Sequence, residues 1–181
     1  FGGAQTTNLT GSGVAIGTFR GDFIFNWFQT GEKEQTVAKL LWDDENLYVS
    51  WRCRDRHISA YETKRHGPVS KDDCVEIFLS PKNDGSYFHL MVNPEGYAAY
   101  EEKRGDIKEF TRAEHRKMKN GWEVTVKVPF RFLGKTPQSN ETWGFNIFRD
   151  KKTAPREVSM WNETYGTFHN TDAFGAIRFL N

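Results

Sequence analysis

Glu76, His89 and Asn146 share one parity of short alternating segments with Phe78, Tyr87, Met91 and Phe148, and Tyr48, Arg52 and Arg54 do the same in another segment. This mixture of rings, charges and amides suits carbohydrate. A ring stacks on the apolar C–H face of a sugar, while carboxylates, guanidinium groups and amides bond its hydroxyls in fixed directions. The alternative is that these are ordinary solvated strand positions. Near the end, "YGTFHNTDAFGAIRFL" sets Phe168 and His169 before a polar turn, HNTD, that leads into a final apolar run. The turn and a recognition site are compatible there, because a turn can present a ring.

Catalytic chemistry has candidates but no assembled signature. Asp43-Asp44 and Asp72-Asp73 are acidic pairs, and no GxSxG, HExxH, P-loop or GxGxxG stands in a suitable context, so an enzyme is not expected. Asp43-Asp44-Glu45-Asn46 reads as a tight turn whose oxygens also suit calcium. His89 and Met91 allow a haem reading, but two residues apart on one strand face they cannot grip one iron from opposite sides. Cys53 falls with an apolar set and Cys74 with Glu76. Opposite parity argues against a bridge, so two free thiols are expected. The sequons at Asn8, Asn140 and Asn162 read as chance occurrences.

These residues must be positioned by strands, since strict alternation is the dominant pattern. In "GWEVTVKVPF", Trp122, Val124, Val126 and Val128 oppose Glu123, Thr125 and Lys127. Leu47, Val49, Trp51 and Cys53 oppose Tyr48, Ser50, Arg52 and Arg54. Val75, Ile77 and Leu79 oppose Glu76 and Phe78. Phe88, Leu90 and Val92 oppose Tyr87, His89 and Met91, and Asn93-Pro94-Glu95-Gly96 turns toward "YAAYEE". Trp143, Phe145 and Ile147 oppose Asn146, Phe148 and Asp150. Further strands are expected at "VAKLLWD" and "GAIRFL", an edge strand at "FIFNWFQ", a short helical turn at "PFRFLG", and a charged exposed loop containing a strand over residues 103–119. Seven or more such strands between Gly, Asn, Asp and Pro signals predict an all-β fold, an antiparallel, jelly-roll-like sandwich of two packed sheets.

A chain of 181 residues accommodates this as a single domain, 1–181, and 15% aromatic content supplies the core with rings to spare for recognition. Twenty-five basic residues against twenty-four acidic ones leave no field to attract nucleic acid, which is not expected as a partner. No apolar run approaches the ~20 residues that span a bilayer, so membrane insertion is not expected either. Residues 1–13, rich in Gly, Ser and Thr and without an initial Met, read as a linker, which suggests a processed or excised chain.

Six segments in order resemble the family 9 carbohydrate-binding modules and their wider DOMON-like relatives: "AKLLWDDENLYVSWRCRD", "SKDDCVEIFLSP", "YFHLMVNPEGY", "NGWEVTVKVPFRFLG", "WGFNIFRD" and "MWNETYGTFHNTDAFGAIRF", spanning residues 38 to 179. The resemblance implies a non-catalytic sandwich that binds an oligo- or polysaccharide as a module of a larger glycan-active or surface protein. It also implies a secreted, cell-surface or periplasmic location and structural calcium, for which Asp43, Asp44, Asp72 and Asp73 are candidates. In sugar-binding members two rings clamp a terminal sugar. The first position falls near Ser70, where Tyr61 or Trp27 would have to substitute, and the second falls on Phe168. The carboxylate corresponds to Glu76, the basic residue to His89 and the amide to Asn146. Arg149, His169 and Trp161 complete the expected ligand-binding set. A DOMON-like haem or redox domain, or a structural domain without ligand, is the alternative.

Overall fold

The computed structural model describes residues 14–16, 23–26, 34–64, 67–101, 113–154 and 156–179. The expected linker at 1–13 and Trp27 lie outside them. The strands are β1 (Val14–Ile16), β2 (Phe23–Asn26), β3 (Thr36–Trp42), β4 (Asn46–Arg54), β5 (Cys74–Ser80), β6 (Phe88–Val92) and β7 (Ala98–Glu101). They continue with β8 (Glu114–Met118), β9 (Gly121–Pro129), β10 (Thr142–Lys151), β11 (Glu157–Met160) and β12 (Gly175–Arg178); one short helix, α1 (Phe130–Leu133), follows β9. The all-β sandwich expected from the alternation is the observed architecture. One sheet runs β1-β12-β10-β5-β6-β7 with β11 added beside β10, and the other runs β2-β3-β4-β9-β8. Every pairing is antiparallel except β1 with β12.

Period-two burial explains the core. Val49, Trp51 and Cys53 of β4 and Trp122, Val124 and Val126 of β9 face Ile77 and Leu79 of β5 and Trp143, Phe145 and Ile147 of β10 between the sheets. Turn chemistry sets the registers. Asp43 Oδ1 accepts from Glu45 N at 2.8 Å and Asn46 N at 2.7 Å, which closes the turn between β3 and β4. Gly121, at φ 155°, starts β9 so close to Cys53 that a Cβ there would lie 2.1 Å from the Cys53 carbonyl oxygen, and only glycine fits. β8, at the edge of its sheet, is charged and almost wholly exposed, an arrangement that discourages pairing with another chain.

The two sheets differ on their outer faces. β3, β4 and β9 alternate between buried and exposed positions, whereas β5, β6 and most of β10 are buried on both sides. The outer face of the β5–β6–β10 sheet, read from sequence as solvated or functional, is covered. Val69, in the single helical turn Val69–Lys71, packs with Cys74, Met91 and Ala99 over one end. The connection from β11 to β12 covers the other.

Candidate functional site

Antiparallel register brings the outward residues of three strands into rows. Glu76 pairs with Met91 on β6 and Phe148 on β10, and Phe78 pairs with His89 and Asn146. Successive rows are two residues apart, roughly 7 Å along the strands. Over them passes residues 161–174, a strap with both ends anchored on β10: β11 pairs with the second half of that strand and β12 with its first half. Asn146 fastens the strap. Its Oδ1 accepts from Asn162 N at 3.0 Å and its Nδ2 donates to the Asn162 carbonyl at 2.8 Å, while Asn162 Nδ2 donates onward to the Ala173 carbonyl at 2.6 Å. A side-chain amide reproduces a strand-like pair of bonds to a segment that belongs to no ladder.

The strap lays a second layer of rings on the first. Phe168 stacks on Phe148 with centroids 4.3 Å apart and planes 21° from parallel. His169 meets Phe78 and His89 edge-on, each at 5.3 Å, and its Nδ1 lies 2.8 Å from Tyr87 Oη. Phe174 closes against Phe78 at 5.5 Å. Beneath them His89 lies flat on Phe78 at 3.9 Å and its Nε2 is 2.7 Å from Glu76 Oε2. Glu76 and His89 are only 5% and 2% exposed, so this pair forms the floor, whereas Phe168 is half-buried and His169 exposed. Cys74 Sγ donates to the other oxygen of Glu76 at 3.7 Å. Burial, followed by the negative charges of Glu76 and Asp150, pushes the Cys74 thiol well above the usual range, and it stays protonated.

A family model for the carbohydrate family 9 binding domain-like proteins matches residues 22–181. The chain belongs to that family. As a family 9 binding domain it is non-catalytic. Its fold is similar to a family 9 module from Caldicellulosiruptor kristjanssonii solved with cellotriose, at 22% identity and TM-score 0.68, covering 84% of this chain and 78% of that one. The structure of such a module from the same organism with glucose gives TM-score 0.66 at 22% identity over 83% and 78% of the two chains. A Bacteroides uniformis protein proposed to bind carbohydrate gives TM-score 0.69 at 18% identity over 87% and 84%. Comparison with curated protein sequences gives no match.

Within this family 9 domain, Glu76, His89, Phe168 and His169 come together, and Asn146 joins them as the strap's fastening. Arg149 and Trp161 do not. Arg149 shares the inward parity of Ile147 and crosses the sandwich, where its Nη2 donates to Asp55 Oδ2 at 2.9 Å and its Nη1 to Thr36 Oγ1 at 3.2 Å. Trp161 turns into the main core against Phe145 at 5.4 Å. Its ring also fills the space beside Gly175, where a Cβ would approach Trp161 Cζ3 to 2.2 Å. Ser70, on an exposed part of its turn, supplies no ring at the first clamp position. Tyr61 stands nearby, its N donating to Asp72 Oδ1 at 3.0 Å and its side chain exposed. Phe78, Phe148 and Tyr87, which sequence parity had put on this face, prove to be the underlying layer. Phe174, in the apolar run after HNTD, joins this layer although the sequence gives it no site role.

The acidic residues suggested for calcium do not fit a cation. Asp72 accepts from Tyr61 N, Glu62 N and Asn93 Nδ2 at 3.0, 2.9 and 2.8 Å. Asp73 accepts from Ser59 N and Lys152 N, both at 2.6 Å. Asp43 takes the two turn amides and Tyr48 Oη. Burial pushes the Asp43 carboxyl up, but the bonds from Glu45, Tyr48 and Asn46 outweigh it and hold it below the usual range. Carboxylates surrounded by N–H and O–H donors present hydrogens where a cation needs oxygens. Asp44 sits exposed in the same turn, and among the described residues no group of three or more His, Cys, Asp or Glu could hold a metal ion. The haem alternative meets a similar obstacle: His89 Nε2 is engaged by Glu76, Phe78 covers its ring, and Met91 packs with Val69.

Proposed function

We propose that this domain binds a glycan on the strap-covered face, with the outward side of Phe168 stacking on the C–H face of a pyranose ring and His169 beside it to meet hydroxyls. The Glu76–His89 pair braces the aromatic floor. The observation that carries this reading is Phe168 itself: its inner face is set against Phe148 and the ring is only half-buried, so it is held rigidly at the surface. A ring ordered before binding loses little conformational freedom on contact, which favours recognition by a small site. The Caldicellulosiruptor module solved with cellotriose and with glucose supports the ligand class. One ring and a few hydrogen bonds give modest affinity, micromolar or weaker. Membership of a larger glycan-active or surface protein, outside the cytoplasm, belongs to the same reading.

A glycan array followed by calorimetry tests it. The wild-type domain is expected to bind at least one oligosaccharide series, and Phe168→Ala is expected to abolish that binding while circular dichroism stays unchanged. A blank array overturns the ligand class, and unchanged binding by the variant overturns the role of Phe168.

A further inference from the structure

Three non-glycine residues among those described have positive φ: Asn83 at 52°, Asn140 at 66° and Tyr165 at 52°. Asparagine tolerates this conformation, whereas a bulky aromatic does so only at a cost. Gly166 follows at φ 114°, so two consecutive residues have positive φ. A tight turn of that kind calls for Asn-Gly or Gly-Gly. Here it holds Tyr-Gly.

Packing does not explain the tyrosine, because the residue is 80% exposed. The backbone beneath it is fixed nonetheless. Thr164 is buried, its carbonyl accepts from Asn170 Nδ2 at 3.1 Å, and its hydroxyl lies 3.9 Å from Met160 Sδ. Tyr61 is equally exposed but has no such conformation. Tyr165 therefore combines three properties: a strained backbone, an anchored turn and a ring with most of its surface in water. Strain of this kind persists where the surroundings enforce it, and it concentrates where a group must be presented to a ligand.

We propose that Tyr165 is a second sugar-stacking ring, at the exposed tip of the strap that carries Phe168, and that it engages a neighbouring sugar of a bound oligosaccharide. The phenol supplies an apolar face for pyranose C–H groups and a hydroxyl that both donates and accepts. Its preset turn removes the ordering cost that a flexible loop would incur on binding. The inference rests on the glycan-binding reading above and adds chain length to it: Phe168 holds one sugar, and Tyr165 rewards a longer ligand.

Tyr165→Asn tests this directly, since asparagine suits the positive φ that tyrosine strains to adopt. Calorimetry would use glucose, cellotriose, xylotriose and mannotriose, together with the best oligosaccharide and its monosaccharide from the array. Tyr165→Asn should melt at the wild-type temperature or slightly above it. Its affinity for the oligosaccharide should fall about tenfold, which is ~1.4 kcal/mol, while that for the monosaccharide stays the same. Tyr165→Trp should keep the oligosaccharide affinity, and Phe168→Ala should lose both. If Tyr165→Asn binds the oligosaccharide as the wild type does, the inference falls and the glycan-binding reading stands. If its melting temperature drops along with affinity, the ring serves the fold and the inference falls as well. A wild-type domain that binds no sugar overturns both.

Discussion

Arg149 Nη2 and Asp55 Oδ2 meet at 2.9 Å across the sandwich, with side chains only 2% and 0% exposed, so this ion pair joins the two sheets in the buried interior. A guanidinium suits the place because its several donors also reach Thr36 Oγ1 and the Glu34 carbonyl at 3.2 and 3.3 Å. The pair stands on the face of β10 opposite the strap. Its removal is therefore a matter of stability and not of recognition.

Asp55→Ala should cost about 3–5 kcal/mol, because it leaves a buried cation uncompensated. Asp55→Leu combined with Arg149→Met should recover most of that loss. Urea midpoints of the two variants measure both effects. A double variant as unstable as Asp55→Ala would show that the charges are needed for the packing itself.

Asn146→Ala removes both fastening bonds to Asn162. At ~1 kcal/mol for each bond lost, the domain should lose about 2 kcal/mol. Amide hydrogen exchange should accelerate in residues 162–174 and remain unchanged in β4 and β9. Uniform acceleration throughout the chain would show that Asn146 supports the whole sandwich and not the strap alone.

Cys53 links pH to stability. Burial, partly offset by the charge of Arg149, pushes its thiol from the ordinary 9.0 to about 11. Below pH 9 the thiol is neutral in both folded and unfolded chains and stability is unaffected. As pH rises from 9 to about 11 only the unfolded thiol ionises, so the folded state loses up to about 3 kcal/mol. Cys53→Ala should be less stable at pH 7 but show a shallower decline over this range. Both cysteines are free and buried, and neither should react with Ellman's reagent at pH 8 until the chain unfolds.

Asp72→Ala strands the donors of Tyr61, Glu62 and Asn93, and about 3 kcal/mol should be lost. The loss should be equal in EDTA and in calcium chloride, because the carboxylate is held by N–H groups. A calcium-dependent rise in melting temperature that the substitution abolishes would reverse this assignment.

Much of the sandwich was legible because one apolar face per strand leaves a period-two trace, as in Trp122, Val124, Val126 and Val128. The inward turn of Arg149 follows the same two-residue steps as Trp143, Phe145 and Ile147, and its expected place among the ligand-binding residues set that parity aside. The covering of Glu76, His89 and Asn146 was not legible. Alternation reports the polarity of a residue and says nothing of what lies above it, and these polar groups are buried by satisfying one another and the strap. β11 leaves no alternating trace because Glu157–Met160 is short and mixed in character. The first strand, Val14–Ile16, pairs with β12 through backbone bonds across nearly the whole chain, a relation that local pattern does not record.

The strap leaves from β11 and returns through β12, and both of these neighbours lean on the single strand β10. Between Trp161 and Gly175 no residue belongs to a ladder, so no strand register is set by backbone pairing within that segment. On the glycan reading proposed above, inheritance of the scaffold and diversification of the ligand then proceed separately, since a change of preferred sugar calls for rewriting only about a dozen strap positions.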